Sequence, residues 1–367
     1  MFKQKNTIII FSFCLAAIMT MGAGCSISFK NNDTSAIDGG FWASLDKGVT
    51  WRQVSAVPTV SGVPGSIASY DDYSFAIDPQ DSNALYFGSL SKGLYYTYDV
   101  GAGWFQAASL QEVKINSIAV SPDDKCLIYV TAGNKVYRSS DCSRTWQQIY
   151  FDNETSTQIK SVAVDQYDAK WIYIGNSRGD IMRSTDRGDH WVTVLRSGSS
   201  INQIVFSPKD SRVILITTVS EGIYRSTDSG DNWKLLKDKM TEFKNSFNIV
   251  SLVASPENDG LFFAATTYGL LKSNDKGDSW TRINLITPEK EASINSLAVN
   301  PKNQKEIYYV TNTTFYSSFD GGASWRTKKL PSTRAGWRLM VDPDETNAIF
   351  MTMKKYQNST SNGMFGI

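Results

Sequence analysis

Apolar residues along this chain come in short runs that end at a proline or a polar cluster, and the runs recur in a fixed order. One run reads SFAIDP (74–79), SIAVSP (117–122), SVAVDQ (161–166), QIVFSP (203–208), SLVASP (251–256), SLAVNP (296–301) and RLMVDP (338–343). A second follows each of them: ALYFGS (84–89), LIYVTA (127–132), WIYIGN (171–176), VILITT (213–218), LFFAAT (261–266), IYYVTN (307–312) and AIFMTM (348–353). A third, such as GLYYT or GIYRS, and a fourth, such as WQQIY or WVTVL, complete the unit. Short apolar runs bounded by turn formers predict strands. No stretch carries a convincing helical period.

Between the third and fourth runs sits a box, [ST]-x-D-x-[GS]-x-x-W. It occurs as SLDKGVTW (44–51), TYDVGAGW (97–104), SSDCSRTW (139–146), STDRGDHW (184–191), STDSGDNW (226–233), SNDKGDSW (273–280) and SFDGGASW (318–325). Its aspartates are Asp46, Asp99, Asp141, Asp186, Asp228, Asp275 and Asp320. Its tryptophans, Trp51, Trp104, Trp146, Trp191, Trp233, Trp280 and Trp325, are spaced by 53, 42, 45, 42, 47 and 45 residues. Four strands per repeat of about 45 residues describe a propeller blade. The first box has no strand pair before it, and the last pair has no box after it. Joining the two ends completes a seventh blade and removes the edges an open fan would leave unpaired. The expected fold is all-β: a single closed seven-bladed β-propeller of four-stranded blades, with N- and C-terminal strands sharing one blade. GGFWAS (39–44) and the tail NGMFGI (362–367) compete for one place in that blade.

Repetition also decides how the box is read. Its hydroxyl and carboxylate suit hydrogen bonds from turn amides, its glycine a reversal at positive φ, and its tryptophan packing in or between sheets. A catalytic reading would demand seven near-identical active sites around the outside of a ring, so the box is expected to be scaffold. Asp228, Gly230 and Asp231 hint at a calcium loop but lack the glutamate that would complete it. His190 is the single histidine and cannot anchor a zinc site. No metal and no cofactor are expected.

The 367 residues, 41% hydrophobic and 20% charged, are ordinary for a globular chain. The N-terminus is different. MFKQKN precedes an apolar stretch, TIIIFSFCLAAIMTMGA (7–23), which reads as a targeting signal. Ala23, Gly24 and Cys25 then resemble the lipobox of bacterial lipoproteins, in which the cysteine is lipidated and becomes the new N-terminus. Gly22 departs from that pattern, where leucine or another aliphatic residue is usual. An uncleaved anchor is the alternative, at the short limit for spanning a bilayer. Both leave the basic end in the cytoplasm and the rest outside. The expected division is a signal peptide at 1–24, a polar tether at 25–38, the propeller at 39–353 and a tail at 354–367, lipid-anchored in a bacterial envelope. Without Lys3 and Lys5 the chain carries 35 basic and 36 acidic residues, which offers nucleic acid no positive excess. Cys14 lies in the signal. Cys126 and Cys142 approach each other across the hairpin near Gly133 and are expected to form a structural disulfide in an oxidising compartment.

The box resembles the Asp-box, or bacterial neuraminidase repeat, and its copies cover essentially everything from Gly39 onward. Sialidases, xyloglucan hydrolases, sortilin-type receptors and photosystem II stability/assembly factors share it, and a single ring is most similar to the last group. Enzymes and binders use this scaffold alike. The sialidase F/Y-R-I-P motif is absent: Tyr137-Arg138 and Tyr224-Arg225 run straight into boxes. The resemblance implies two facing propellers for a xyloglucan hydrolase, and this chain has length for one. A glycosidase still needs a carboxylate pair about 5–10 Å apart. Asp71, Asp72, Glu112, Asp152, Glu154, Glu242, Glu289 and Glu291 fall in loops before first strands, and nothing marks a pair.

The binding branch draws on the same loops, the longest at 56–72 and the next at 238–248. First strands open on Ser74, Ser117, Ser161, Ser251 and Ser296, with Gln203 in one copy, and asparagine often precedes. Tyr73 and Lys160 replace that asparagine, and Trp337-Arg338 stand in the seventh copy. These four form the candidate ligand face; for Trp337 and Arg338 the alternative is that they seal the closing blade. Assembly factors are known to meet their partner through a basic patch. Here Arg138, Arg183 and Arg225 lie at blade edges, and no dense basic cluster is visible in the loops. The expectation is a monomeric protein- or glycan-binding module without turnover. The alternative is a sialidase-like or xyloglucanase-like glycoside hydrolase using loop carboxylates.

Overall fold

The computed structural model describes residues 38–288, 291 and 293–355. Cys14, Cys25, Glu289 and the stretch 362–367 lie outside the described residues. Seven four-stranded antiparallel sheets form the blades, and one small hairpin, Ala56–Val57 with Gly65–Ser66, decorates the loop after the first box. The innermost strands are Asp72–Asp78 in blade 1, Ile115–Val120 in blade 2, Ile159–Val164 in blade 3 and Ile201–Ser207 in blade 4. Ile249–Ala254, Ser296–Asn300 and Ala335–Val341 open blades 5 to 7. Blade 7 runs Ala335–Val341, Ile349–Lys354, Phe41–Ser44, Arg52–Gln53, with Phe41 opposite Thr352 and Ser44 opposite Ile349. Both chain ends thus share one sheet, and 41–44 holds its third place.

Burial explains the pattern of runs. Second strands such as Ile128–Ala132 and Phe262–Thr266 are buried throughout, because neighbouring blades cover both faces. Their sequences are therefore continuously apolar. The outermost strand Arg326–Lys329 is exposed throughout, and its cationic side chains discourage pairing with another chain.

Seven apolar clusters fill the structure, and each takes one box tryptophan: Trp280, Trp146, Trp325, Trp104, Trp51, Trp191 and Trp233. The box turns satisfy themselves. In blade 4, Ser226 Oγ accepts from the Gly230 amide at 2.8 Å and donates to Asp228 Oδ1 at 2.8 Å. Asp228 in turn accepts from the Asn232 amide at 2.9 Å. Those hydrogen bonds, from the amide and side chain of Asn232 and from Ser226, hold the Asp228 carboxyl down at about 2. Ser229 and Gly230 both take positive φ, of 57° and 84°. In blade 2 the corresponding pair is Cys142 and Ser143, and Cys142 is disulfide-bonded to Cys126. Arg138, Arg183 and Arg225 each reach the box of the following blade, donating to Arg187 O, Ser229 O and Lys276 O at 2.9, 2.7 and 3.0 Å.

Candidate functional site

The boxes lie at the end of the ring where innermost strands finish; Val100 N, for example, donates to Asn83 O. At the opposite end, where those strands begin, the ladder slips in blade after blade. Register shifts fall between Asp72 and Ser74, Ile159 and Ser161, Ile201 and Gln203, Ile249 and Ser251, and Gly336 and Leu339. A bulge leaves one residue unpaired and re-aims its side chain. Where asparagine stands at or beside the start of an innermost strand, it bridges to the next blade. Asn116 Nδ2 donates to Ile159 O at 2.9 Å, Asn202 to Ile249 O at 2.8 Å, and Asn295 to Gly336 O at 2.9 Å. The following residue does likewise: Val162 N donates to Ser117 Oγ at 3.2 Å, Leu252 N to Gln203 Oε1 at 2.8 Å, and Leu339 N to Ser296 Oγ at 3.1 Å. This polar belt surrounds an axial cavity of about 300 Å³.

Departures from the belt gather on one side of the cavity mouth. Lys160 Nζ donates to Tyr73 Oη at 2.8 Å, and the Lys114 ammonium lies 3.8 Å from the Tyr73 ring centroid. Burial alone would raise the Tyr73 phenol, but the Lys160 hydrogen bond and the charges of Lys160 and Lys114 bring it below its ordinary value. Arg338 Nη2 donates to Tyr73 O at 3.2 Å. Trp337 faces a neighbouring groove of about 590 Å³. The Lys354 ammonium lies 3.7 Å from the Trp337 ring centroid, while Trp337 Nε1 is buried without a partner.

Lys114, Lys160, Arg338 and Lys354 are half-buried, and among the described residues none has a carboxylate at ion-pair distance. Arg178 shows the contrast, pairing with Asp152, Glu154 and Asp180. The expectation that no dense basic cluster exists is therefore corrected. Its members come from blades 2, 3 and 7 and meet only in the ring. Lys114 and Lys354 escaped sequence reasoning, yet Lys354 carried a signal. It ends its strand opposite Ala335, one residue beyond Met353, where blades 1 to 5 carry the uncharged Leu90, Gly133, Ser177, Val219 and Thr267.

Among the described residues no two of the loop acids form a pair free of a cation. Glu112 is bound to Lys92, Asp152 and Glu154 to Arg178, and Glu242 and Glu291 are exposed. Asp71 accepts from Arg334 Nη1 at 3.0 Å and from Lys355 N at 2.8 Å. Asp72, expected in a loop, is the first residue of an innermost strand and wholly buried. Its Oδ2 accepts from Thr352 Oγ1 at 2.6 Å, while Oδ1 has no partner. Burial pushes its carboxyl up to about 7, against the opposing influence of Thr352, Arg338 and Lys354. Among the described residues no aspartate or glutamate lines the axial cavity, and no group of three or more metal-ligating side chains is placed to hold an ion.

This geometry can be set beside known proteins. The Sortilin-Vps10 family model (sortilin, neurotensin receptor 3) matches residues 134–265 and 268–365. The chain belongs to the Sortilin-Vps10 family. No curated protein matches this family member in sequence. Among solved structures it is similar to the GH74 xyloglucanase from Xanthomonas campestris, with a TM-score of 0.64 and 18% identity over 83% of this chain and 52% of that one. The GH74 enzyme of Niastella koreensis gives 0.63 and 17%, covering 78% and 51%. YCF48 bound to a D1 peptide gives 0.61 and 12%, covering 83% and 95%. The Sortilin-Vps10 chain thus spans about half the length of each GH74 enzyme and nearly the whole of YCF48. At these identities the likeness is one of fold.

Proposed function

We propose that the chain is a non-catalytic binding module of the extracytoplasmic envelope, tethered by lipid at Cys25, whose axial mouth holds an acidic segment of a partner protein. The observation that carries this reading is the cation cluster itself. Four positive side chains, held by rings, a phenol and a carbonyl instead of carboxylates, leave their charge available to an anionic ligand. Two of them, Lys160 and Arg338, stand where the repeat departs from its own asparagine and serine. That YCF48 has been solved with a peptide bound supports a polypeptide ligand on a single ring. The hydrolase reading has less support, since Asp72 is wholly buried and no acid lines the axial cavity among the described residues. The test is fluorescence anisotropy of the full chain with labelled hexaglutamate and with a neutral Gly-Ser peptide of equal length. Preferential binding of hexaglutamate, weakened by salt and by Lys160→Ala/Arg338→Ala, is expected. Equal affinity for both peptides, or indifference to the double substitution, would reject the reading. Release of reducing sugar from xyloglucan would favour the hydrolase instead.

A further inference from the structure

Asp72 breaks the repeat in a more costly way than any of the surface departures. Its register position, opposite the end of the second strand, belongs to Ile115, Ile159, Ile201 and Ile249 in blades 2 to 5. Those isoleucines are buried apolar core, and a carboxylate there gives up apolar burial and must be desolvated. Thr352 alone donates to it from a side chain, and the second oxygen is buried and unpaired. Thr352 Oγ1 also accepts from the Arg338 amide at 3.1 Å. The buried acid is thereby one hydroxyl away from the backbone of a cluster residue, at the joint where blade 7 meets blade 1.

The charges around it can be named element by element. Ala335–Val341 presents Arg338, and Ile349–Lys354 presents Lys354; both act electrostatically on Asp72. Its own segment brings Asp71, already engaged by Arg334 and Lys355 N, and Tyr73, which carries Lys160 and Lys114. The neighbouring strand Asp81–Ser89 offers Ser89 opposite it, which is uncharged. Asp72 is therefore the counter-charge to the cluster from within the core. When it is ionised, it offsets the field an anionic ligand would meet; when it is protonated, the mouth is more positive by one charge.

We propose that protonation of Asp72 sets the charge of the axial mouth, so that near neutrality an acidic ligand binds with net uptake of a fraction of a solvent proton by this carboxyl. The inference rests on the acidic-segment reading above and adds its regulation. Its sign follows from electrostatics: a bound anion disfavours a nearby carboxylate, so affinity falls as Asp72 ionises. Burial already brings that ionisation to near neutrality.

The experiment is calorimetric titration of hexaglutamate into the full chain at about pH 6 and about pH 8.5, where the peptide's own carboxyls stay ionised. Repeating it near neutrality in buffers of different ionisation heat counts the protons taken up. Wild type is expected to bind about tenfold more weakly at the higher pH, within the usual range for coupled sites. Asp72→Asn is expected to keep the low-pH affinity throughout and to take up no proton. Thr352→Val, which removes a hydrogen bond to the ionised form, is expected to move the midpoint upward, and it serves if Asp72→Asn folds poorly. His190→Gln, altered at the far end of the ring, should titrate like wild type. A pH-independent affinity, or a slope that survives in Asp72→Asn, overturns the coupling while leaving the binding reading intact. Failure of wild type to bind at either pH overturns both.

Discussion

The two ends of the same strands obey opposite rules. At the box end, seven turns repeat one solution in which serine or threonine, aspartate and backbone amides satisfy each other and a tryptophan enters each core cluster. At the axial end, asparagine and serine belts are interrupted by Tyr73, Lys160, Trp337, Arg338 and Lys354, and a core isoleucine gives way to Asp72. The leading serine or threonine and the aspartate of each box, which look most chemical, are structural, because every copy has them and they already hydrogen-bond to one another. The residues that break the repeat have charge to spare.

The sharpest way to break this comparison is at the box. Trp104 is fully buried and donates from Nε1 to Val54 O at 2.7 Å. Trp104→Ala should cost about 3–5 kcal/mol of stability, the usual range for emptying a large aromatic site, in urea unfolding. Peptide affinity of the folded fraction should stay unchanged. A large loss of affinity without loss of stability would give the box a functional role.

The second prediction restores the repeat at the other end. Replacing a buried charge by a fitting apolar residue often stabilises, and Asp72→Ile should add about 1–3 kcal/mol near neutral pH. The sign of its pH dependence follows from linkage. The folded-state carboxyl of Asp72 sits at about 7, above its unfolded value, so the native state holds the proton more tightly. Stability should then decline as pH rises from about 4 to about 7, and Asp72→Ile should abolish that decline. The box aspartates work in the opposite direction. Asp228, held at about 2, stabilises above its unfolded value and loses that contribution as pH falls through the folded one. Urea denaturation of both proteins from about pH 2 to about pH 7 tests the two signs together, the Asp228 loss falling below about pH 4 and the Asp72 decline above it.

The fold was legible because its signals are local and repeated. A blade announces itself through run length, turn formers and the box, and the chain's first and last pieces announce closure by what each lacks. The candidate site was only half legible. Tyr73, Lys160, Trp337 and Arg338 stood out as departures from internal copies. Lys114 did not, because it precedes Ile115 in a loop where the repeat sets no rule. Asp72 was grouped with Asp71 as a loop acid, because an acid in that place reads as the end of a polar loop. Yet it stands two residues before Ser74, as Ile115, Ile159 and Ile249 stand before Ser117, Ser161 and Ser251. The disulfide partners, by contrast, needed only the hairpin pairing of Ile128 with Ser139 to bring Cys126 and Cys142 together.

The smallest expected effect discriminates most finely between the two ends. Lys160→Asn puts the repeat residue back at a bulge, where Asn116 and Asn202 donate to the first strand of the next blade. By that geometry the new amide would meet Ile201 O, adding about 0.5–1.5 kcal/mol for one intramolecular hydrogen bond. The same change removes one ammonium from the mouth and the hydrogen bond to Tyr73. Affinity for hexaglutamate should fall about threefold to tenfold, and its salt dependence should become shallower, as expected when one charge leaves an electrostatic site. If Lys160 were merely a scaffold residue, stability and affinity would move in the same direction. Opposite movement in one substitution would show that this position trades blade cohesion for ligand charge.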